Sequence, residues 1–270
     1  MDNNPSRALV FQAYGHRAIL AELCYALHSL FALYPEAPGF VVYVYTDQAS
    51  WLEPLLPYPQ VRFCSLDDKK INEWRGNPPF VHRVKIKVLE DFVQGFEGSV
   101  LYLDTDVAFR SRIEPLFEAI EAGGLWMHEN EGDVSSEANP ILQKTHRFIK
   151  ANPQYGIAPS MKMYNAGLLG FSAAQGREIL PKVLALTDAV YPHFSKHIVE
   201  QMAFSWLFQQ TGQALHTAEK EIYHYWFFKT FREQVLQALE QGQSLSGLKV
   251  EEAWQARAKG KKKTWWKWWA

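Results

Sequence analysis

An α/β domain built on a largely parallel sheet is predicted by three features of the chain. Apolar runs alternate with helical patterns through the first third, the βαβα rhythm of strands joined by right-handed crossovers. Residues 100–103, Val-Leu-Tyr-Leu, are apolar without alternation, as in a strand covered on both faces. That run breaks abruptly into Asp104-Thr105-Asp106, and open α/β sheets bind ligands beyond the carboxyl ends of such strands.

The elements follow in order. Residues 8–13 read as a strand, and 19–33 as a helix with Leu20, Leu23, Cys24, Leu27, Leu30 and Phe31 on one face. Pro35, Pro38 and Gly39 stop it before a strand over 40–45 that ends at Thr46-Asp47. A short helix over 49–56 and a strand over 61–65 come next. Residues 84–96 form a helix with Val84, Val88, Leu89 and Phe92 on its apolar side, and Gly98 releases the chain into the strand that carries the aspartates. The aspartates therefore fall after about the fourth strand. Residues 129–160 are rich in Glu, Asn, Ser and Pro with one helix near 141–150, a long polar excursion expected to act as a substrate loop. Residues 161–172 read as one strand flanked by small residues, 198–210 as a helix, and 221–229 as an aromatic segment holding His224 and Lys229.

Composition narrows the function classes. The 270 residues carry 28 Lys plus Arg against 29 Asp plus Glu, so the charge balance gives no support for nucleic acid as a partner. Cys24 and Cys64 sit in apolar patterns and are expected to be free, buried and inert, which suits a reducing cytoplasm. No basic region followed by a long apolar stretch opens the sequence, and the apolar segment 18–33 is interrupted by Glu22 and His28. A cytoplasmic protein is expected.

Asp104 and Asp106 share a side of an extended chain because side chains repeat every two residues, while Thr105 points the other way. Two hard oxygen ligands suit Mg²⁺ or Mn²⁺. The tripeptide alone equally describes a strand cap and turn. Arg83 and Lys87, one helical turn apart, would face the same ligand together, or belong with Lys85 to a solvated helix face. Gly167 and Gly170 permit close backbone approach to a ligand or close packing.

The ordered set Tyr102-Leu103-Asp104-Thr105-Asp106, Tyr164-Asn165-Ala166-Gly167-Leu168-Leu169, Glu200-Gln201 and a late His224 resembles the GT-A-fold glycosyltransferases. It is most similar to the retaining group that includes lipopolysaccharide galactosyl- and glucosyltransferases and glycogenin, over residues 8–232. The resemblance implies a Rossmann-like mixed central sheet flanked by helices over residues 1–256, with 129–160 as an acceptor-side elaboration. It implies Asp104, Asp106 and His224 as ligands of Mn²⁺ or Mg²⁺, bridging the diphosphate of a nucleotide-sugar donor, a UDP-sugar by preference. A hexose would pass, with retention, to a saccharide or glycolipid hydroxyl in surface-glycan synthesis. Ala13, Tyr14, Asp47, Arg83, Lys87, Thr105, Asn165, Gly167 and Lys229 would contact the donor. Glu200 and Gln201 would steady an oxocarbenium-like transition state as electrostatic and positioning groups. One departure is evident: the family places an acidic residue just after its first strand, where this chain reads Gln12-Ala13-Tyr14-Gly15. Tyr14 would then stack on the base, with Asp47 taking the ribose or serving as a turn residue.

Residues 257–270 form a basic, Trp-rich tail, KGKKKTWWKWWA at its end. Lysines attract anionic head groups and tryptophan favours the membrane interface, so peripheral contact with an anionic membrane is expected, against a solvated tail or packing onto the domain. Two other classes remain open: a phosphatase of the Asp-x-Asp type, and a non-catalytic nucleotide- or glycan-binding protein at the membrane.

Overall fold

The computed structural model describes residues 6–136 and 139–260. The first half runs β1 (Arg7–Gln12), α1 (Arg17–Phe31), β2 (Val41–Thr46), α2 (Ala49–Leu52), β3 (Val61–Ser65), α3 (Asp68–Arg75), α4 (Arg83–Gln94), β4 (Ser99–Leu103), β5 (Val107–Phe109), α5 (Glu114–Glu121) and β6 (Leu125–Met127). The second half adds β7 (Asn130–Asp133), α6 (Pro140–Ala151), β8 (Lys162–Tyr164), β9 (Leu168–Ser172), α7 (Ala173–Val190), α8 (Val199–Gln210), β10 (Leu215–Thr217), β11 (Ile222–His224), α9 (Lys229–Glu240) and α10 (Val250–Gly260).

Seven strands form the central sheet in the order β10-β6-β9-β4-β1-β2-β3. The pairs β1–β2, β2–β3, β1–β4 and β6–β10 are parallel, whereas β9 runs antiparallel to both β4 and β6. The sheet is thus mixed. Period-two alternation divides its side chains between two apolar layers. Leu9, Phe11, Leu101 and Leu103 pack beneath α1 and α9, while Ala8, Val10, Val100 and Tyr102 pack beneath α4, α7 and α8. Burial on both faces is the reason β4 reads as an unbroken apolar run; every residue of it is buried.

Several expectations need correction. Residues 161–172 are two strands: β8 pairs with β7 in a separate ribbon, and β9 enters the central sheet. The break at Asn165-Ala166-Gly167 turns the chain from one sheet to the other. The aspartates do not continue a strand either. β4 ends at Leu103, and β5 leaves to pair with β11, so Asp104 and Asp106 span the gap between two sheets. Cys64 is only half-buried, whereas Cys24 is buried. Sequence periodicity also passed over α3, α5, α9 and the 18-residue α7. Gly176 and Pro181 interrupt the pattern of α7, although Ser172 and Gln175 form a capping box at its start.

No helix among the described residues is long and apolar enough to cross a membrane. The helix α10 passes position 257, where the tail was expected to begin, and Trp254 packs edge-on against Phe227 and Phe228. The lysines and tryptophans from 261 onward lie outside the described residues.

Candidate active site

At the carboxyl edge of β4 a cavity of about 200 Å³ opens among β4, β7, the β8–β9 break, the start of α8 and the end of β11. Seven residues singled out in the sequence line it: Asp104, Asp106, Asn165, Gly167, Glu200, Gln201 and His224. Antiparallel pairing of β11 with β5 sets His224 opposite Val107, beside Asp106. One ligand atom each from Asp104, Asp106 and His224 fall within 4.8 Å of one another.

The hydrogen bonds around His224 test whether a cation fits. Asn165 Oδ1 accepts from the Gly167 amide at 2.9 Å, and its Nδ2 donates to Glu131 Oε1 at 3.0 Å, which fixes the amide orientation. The same Oδ1 lies 3.0 Å from His224 Nδ1, so that nitrogen carries a proton and donates. Nε2 then faces Asp106 Oδ1 at 3.0 Å. In a neutral ring two lone pairs would oppose each other there, and either a proton or a cation resolves the conflict. Burial acts to raise Asp106, but His224 and Arg232 outweigh it and hold its carboxyl below the usual range. Burial acts to lower His224, and Asp106 reverses that, raising it. Two carboxylate oxygens and an oriented imidazole therefore form a donor set suited to Mn²⁺ or Mg²⁺. Gly167 makes room for this ring, because a Cβ at Gly167 would sit 2.2 Å from His224 Cε1.

The cationic member of the site is not one of those expected. Arg83 forks onto Asp188 of α7 at 2.7 and 2.9 Å and donates to the Trp74 carbonyl, while Lys87 pairs with Glu90 at 2.7 Å. Neither lines the cavity. Lys85 does, and it is 3% exposed. Its Nζ lies 3.1 Å from Asp104 Oδ1, 3.0 Å from the Ala166 carbonyl and 3.2 Å from Glu200 Oε1. The Glu200 contact is an ion pair out of line for a hydrogen bond. The sequence held a signal for it: Lys85 heads the i, i+3, i+4, i+7 stripe Val88, Leu89, Phe92, so it belongs to the inward face. Burial pushes the Glu200 carboxyl up to about 7 even with Lys85 pulling it down.

Glu131, also unforeseen, binds two amides. Its Oε2 accepts from Gln201 Nε2 at 2.8 Å while Oε1 holds Asn165. A carboxylate can only accept, so Gln201 turns its NH₂ to Glu131 and leaves Oε1 for the cavity. His82, His197 and Trp226 complete the rim. Behind Asp106, Arg232 lies 3.9 Å from its Oδ2 and 2.8 Å from Glu22, whose carboxyl burial and Asp106 push up to about 8.

The remaining predicted donor contacts stand elsewhere. Ala13 and Tyr14 follow β1, and Asp47 follows β2, on the same carboxyl edge. The Ala13 amide is taken by the Tyr45 carbonyl at 2.9 Å. Asp47 accepts from the Gly15 amide at 3.2 Å, and Tyr14 is half-buried beside Arg75. Thr105 is buried outside the cavity lining, and Lys229 is exposed at the first turn of α9.

Sequence comparison matches no family model and no curated protein. Comparison of folds does find similar structures. The galactosyltransferase LgtC, solved with donor and acceptor sugar analogues, superposes with a TM-score of 0.54 at 19% identity, covering 78% of this chain and 73% of that one. Mouse xyloside xylosyltransferase 1 gives 0.55 at 15% identity over 86% and 92%. The bifunctional glycosyltransferase WbbM gives 0.55 at 12% identity over 79% of this chain and 39% of its own. The chain has the GT-A fold of these proteins, in line with the resemblance read from its motifs.

Proposed function

We propose that this protein is a metal-dependent glycosyltransferase that moves a hexose from a nucleotide-diphosphate sugar to a saccharide or glycolipid hydroxyl. The observation that carries the reading is the convergence of Asp104, Asp106 and His224 on one point at the carboxyl edge of a GT-A sheet. Breaking a sugar–diphosphate bond leaves negative charge on the departing diphosphate; Asp104, Asp106 and His224 would hold Mn²⁺ or Mg²⁺, which would supply a Lewis acid to stabilise it.

The protein's own groups do the rest. Asn165 holds His224 in the tautomer that presents Nε2, and Lys85 braces Asp104 from the core side. Gln201 Oε1 offers partial negative charge to an oxocarbenium-like centre, its direction fixed by Glu131. Glu200 is tied to Lys85 and Glu131 to two amides, so neither carboxylate is poised to attack the sugar. That favours front-face transfer with retention over double displacement. Tyr14 and Asp47 supply the nucleoside end, and a UDP-sugar remains the preferred donor. The expected setting is surface-glycan synthesis on the inner face of a membrane, with the Lys- and Trp-rich residues after α10 as the contact.

The test is nucleotide release from a panel of UDP-, GDP- and other nucleotide sugars with Mn²⁺, Mg²⁺ or EDTA, comparing the native protein with Asp104→Ala. Slow hydrolysis of one donor, lost in EDTA and in the variant, is expected. Activity that survives Asp104→Ala would remove the metal assignment. Neither turnover nor donor-induced stabilisation with any nucleotide sugar would overturn the reading as a whole.

A further inference from the structure

We propose that the acceptor is anionic and that its phosphate groups are bound by a cationic shelf formed by α6 and the segment between α7 and α8. The proposal rests on the glycosyl-transfer reading and names its acceptor class. The helix α6 buries Ile141, Leu142, Thr145 and Ile149 and exposes Lys144, Arg147 and Lys150. Steps of three residues along a helix place those cations in one oblique row. Phe148, on the same helix, stacks on Phe194 at 4.6 Å between ring centroids, and the exposed Lys196 lies two residues beyond Phe194 in sequence.

Charge is segregated here. From Asn139 to Arg177 the sequence contains no Asp or Glu, and none occurs from 189 to 199, although the whole chain has a net charge of −1. Among the described residues no carboxylate forms an ion pair with Lys144, Arg147, Lys150 or Lys196. His197, next to Lys196 in sequence, lines the cavity together with Gln201, which puts the Lys196 end of the shelf at the cavity's edge. The cavity itself holds Asp104, Asp106, Glu131 and Glu200. A ligand that carries a phosphate beside its acceptor sugar would meet these cations outside the cavity.

A lipid surface fits less well. Interfacial helices insert large apolar side chains, and the one large hydrophobic residue strongly exposed among the described residues is Val81, on another segment. Nucleic acid would require aromatic platforms for bases, which the exposed side of α6 does not offer.

The test compares the full chain with a variant carrying Lys144→Gln, Arg147→Gln, Lys150→Gln and Lys196→Gln, all exposed positions. Binding is measured by calorimetry for an oligosaccharide monophosphate prepared from phosphomannan, for its phosphatase-treated counterpart, and for glycan-free phosphatidylglycerol vesicles. The phosphorylated sugar is expected to bind the native chain about tenfold more tightly than the treated one, the combined effect of several exposed ion pairs. That preference should vanish in the variant and in about 0.5 M salt, where screening is nearly complete. Metal-dependent donor hydrolysis should be equal in both proteins. Equal affinity for the two sugars, or a preference that survives the four substitutions, overturns the proposal. Vesicle binding abolished by the substitutions without any sugar preference overturns it in favour of a lipid headgroup. If neither protein hydrolyses a donor while the phosphate preference holds, the transfer reading fails and anion recognition by the shelf stands.

Discussion

Replacing Glu200 by Gln should make the metal-free protein more stable at neutral pH and nearly inactive. The carboxyl is 2% exposed, and burial raises it to about 7 from an ordinary value of 4.5. The folded protein therefore binds this proton more tightly than the unfolded chain does. Stability contributed by the proton is full below about pH 4.5 and is lost as pH rises through 7. A rise of two to three pH units at 1.36 kcal/mol each amounts to about 3 kcal/mol. Glutamine imitates the protonated acid at every pH, so the variant should equal the native protein near pH 4.5 and exceed it by about 3 kcal/mol at pH 8. In a chain of this size that corresponds to roughly 6–12 °C in Tm. Urea and thermal melts in EDTA from pH 5 to 8 follow the difference between the two proteins, in which most other titrations cancel. Nucleotide-sugar turnover should fall about 10–100-fold, because Lys85, which also holds Asp104, loses its buried counter-charge. Parallel stability profiles for the two proteins would refute the placement of a strained, buried carboxylate beside Lys85.

Other expectations follow from the same geometry. Gly167→Ala forces a methyl into the His224 ring and should weaken Mn²⁺ binding about 10–100-fold, read by calorimetry; unchanged affinity would remove His224 from the ligand set. Lys85→Met should abolish donor hydrolysis, whereas Arg83→Gln should retain it and lose no more than about 1 kcal/mol of stability from an ion pair whose Asp188 is largely exposed. The reverse ranking of those two variants would restore Arg83 to the site. Glu131→Gln gives one of the two amides an NH₂ partner it cannot use, so kcat should drop about tenfold or more with KM little altered; an effect confined to KM would make Glu131 a substrate contact.

Much of the fold could be read along the chain because strand and helix periodicities are local. The strand Val61–Ser65 and the helix Val199–Gln210 match their sequence patterns almost residue for residue. Asp104 and Asp106 stood out because an unbroken apolar run ends in them, and Asn165, Gly167, Glu200, Gln201 and His224 came from motif order. What sequence could not provide is which way a helix faces once packed. The stripe that buries Lys85 also holds Arg83 and Lys87 on the outer side, and only the folded chain shows that they pair with Asp188 and Glu90. Glu131 was invisible for a different reason. It lies on a short ribbon strand with no apolar pattern, and its two amide partners are 34 and 70 residues away in sequence. Identity, order and charge of the candidate ligands are properties of the chain, because a carboxylate or imidazole keeps its chemistry wherever it is placed. Their convergence on one point belongs to the tertiary structure, since it depends on β5 pairing with β11 and on β8 parting from β9, contacts between segments over a hundred residues apart or across a break that local periodicity does not register.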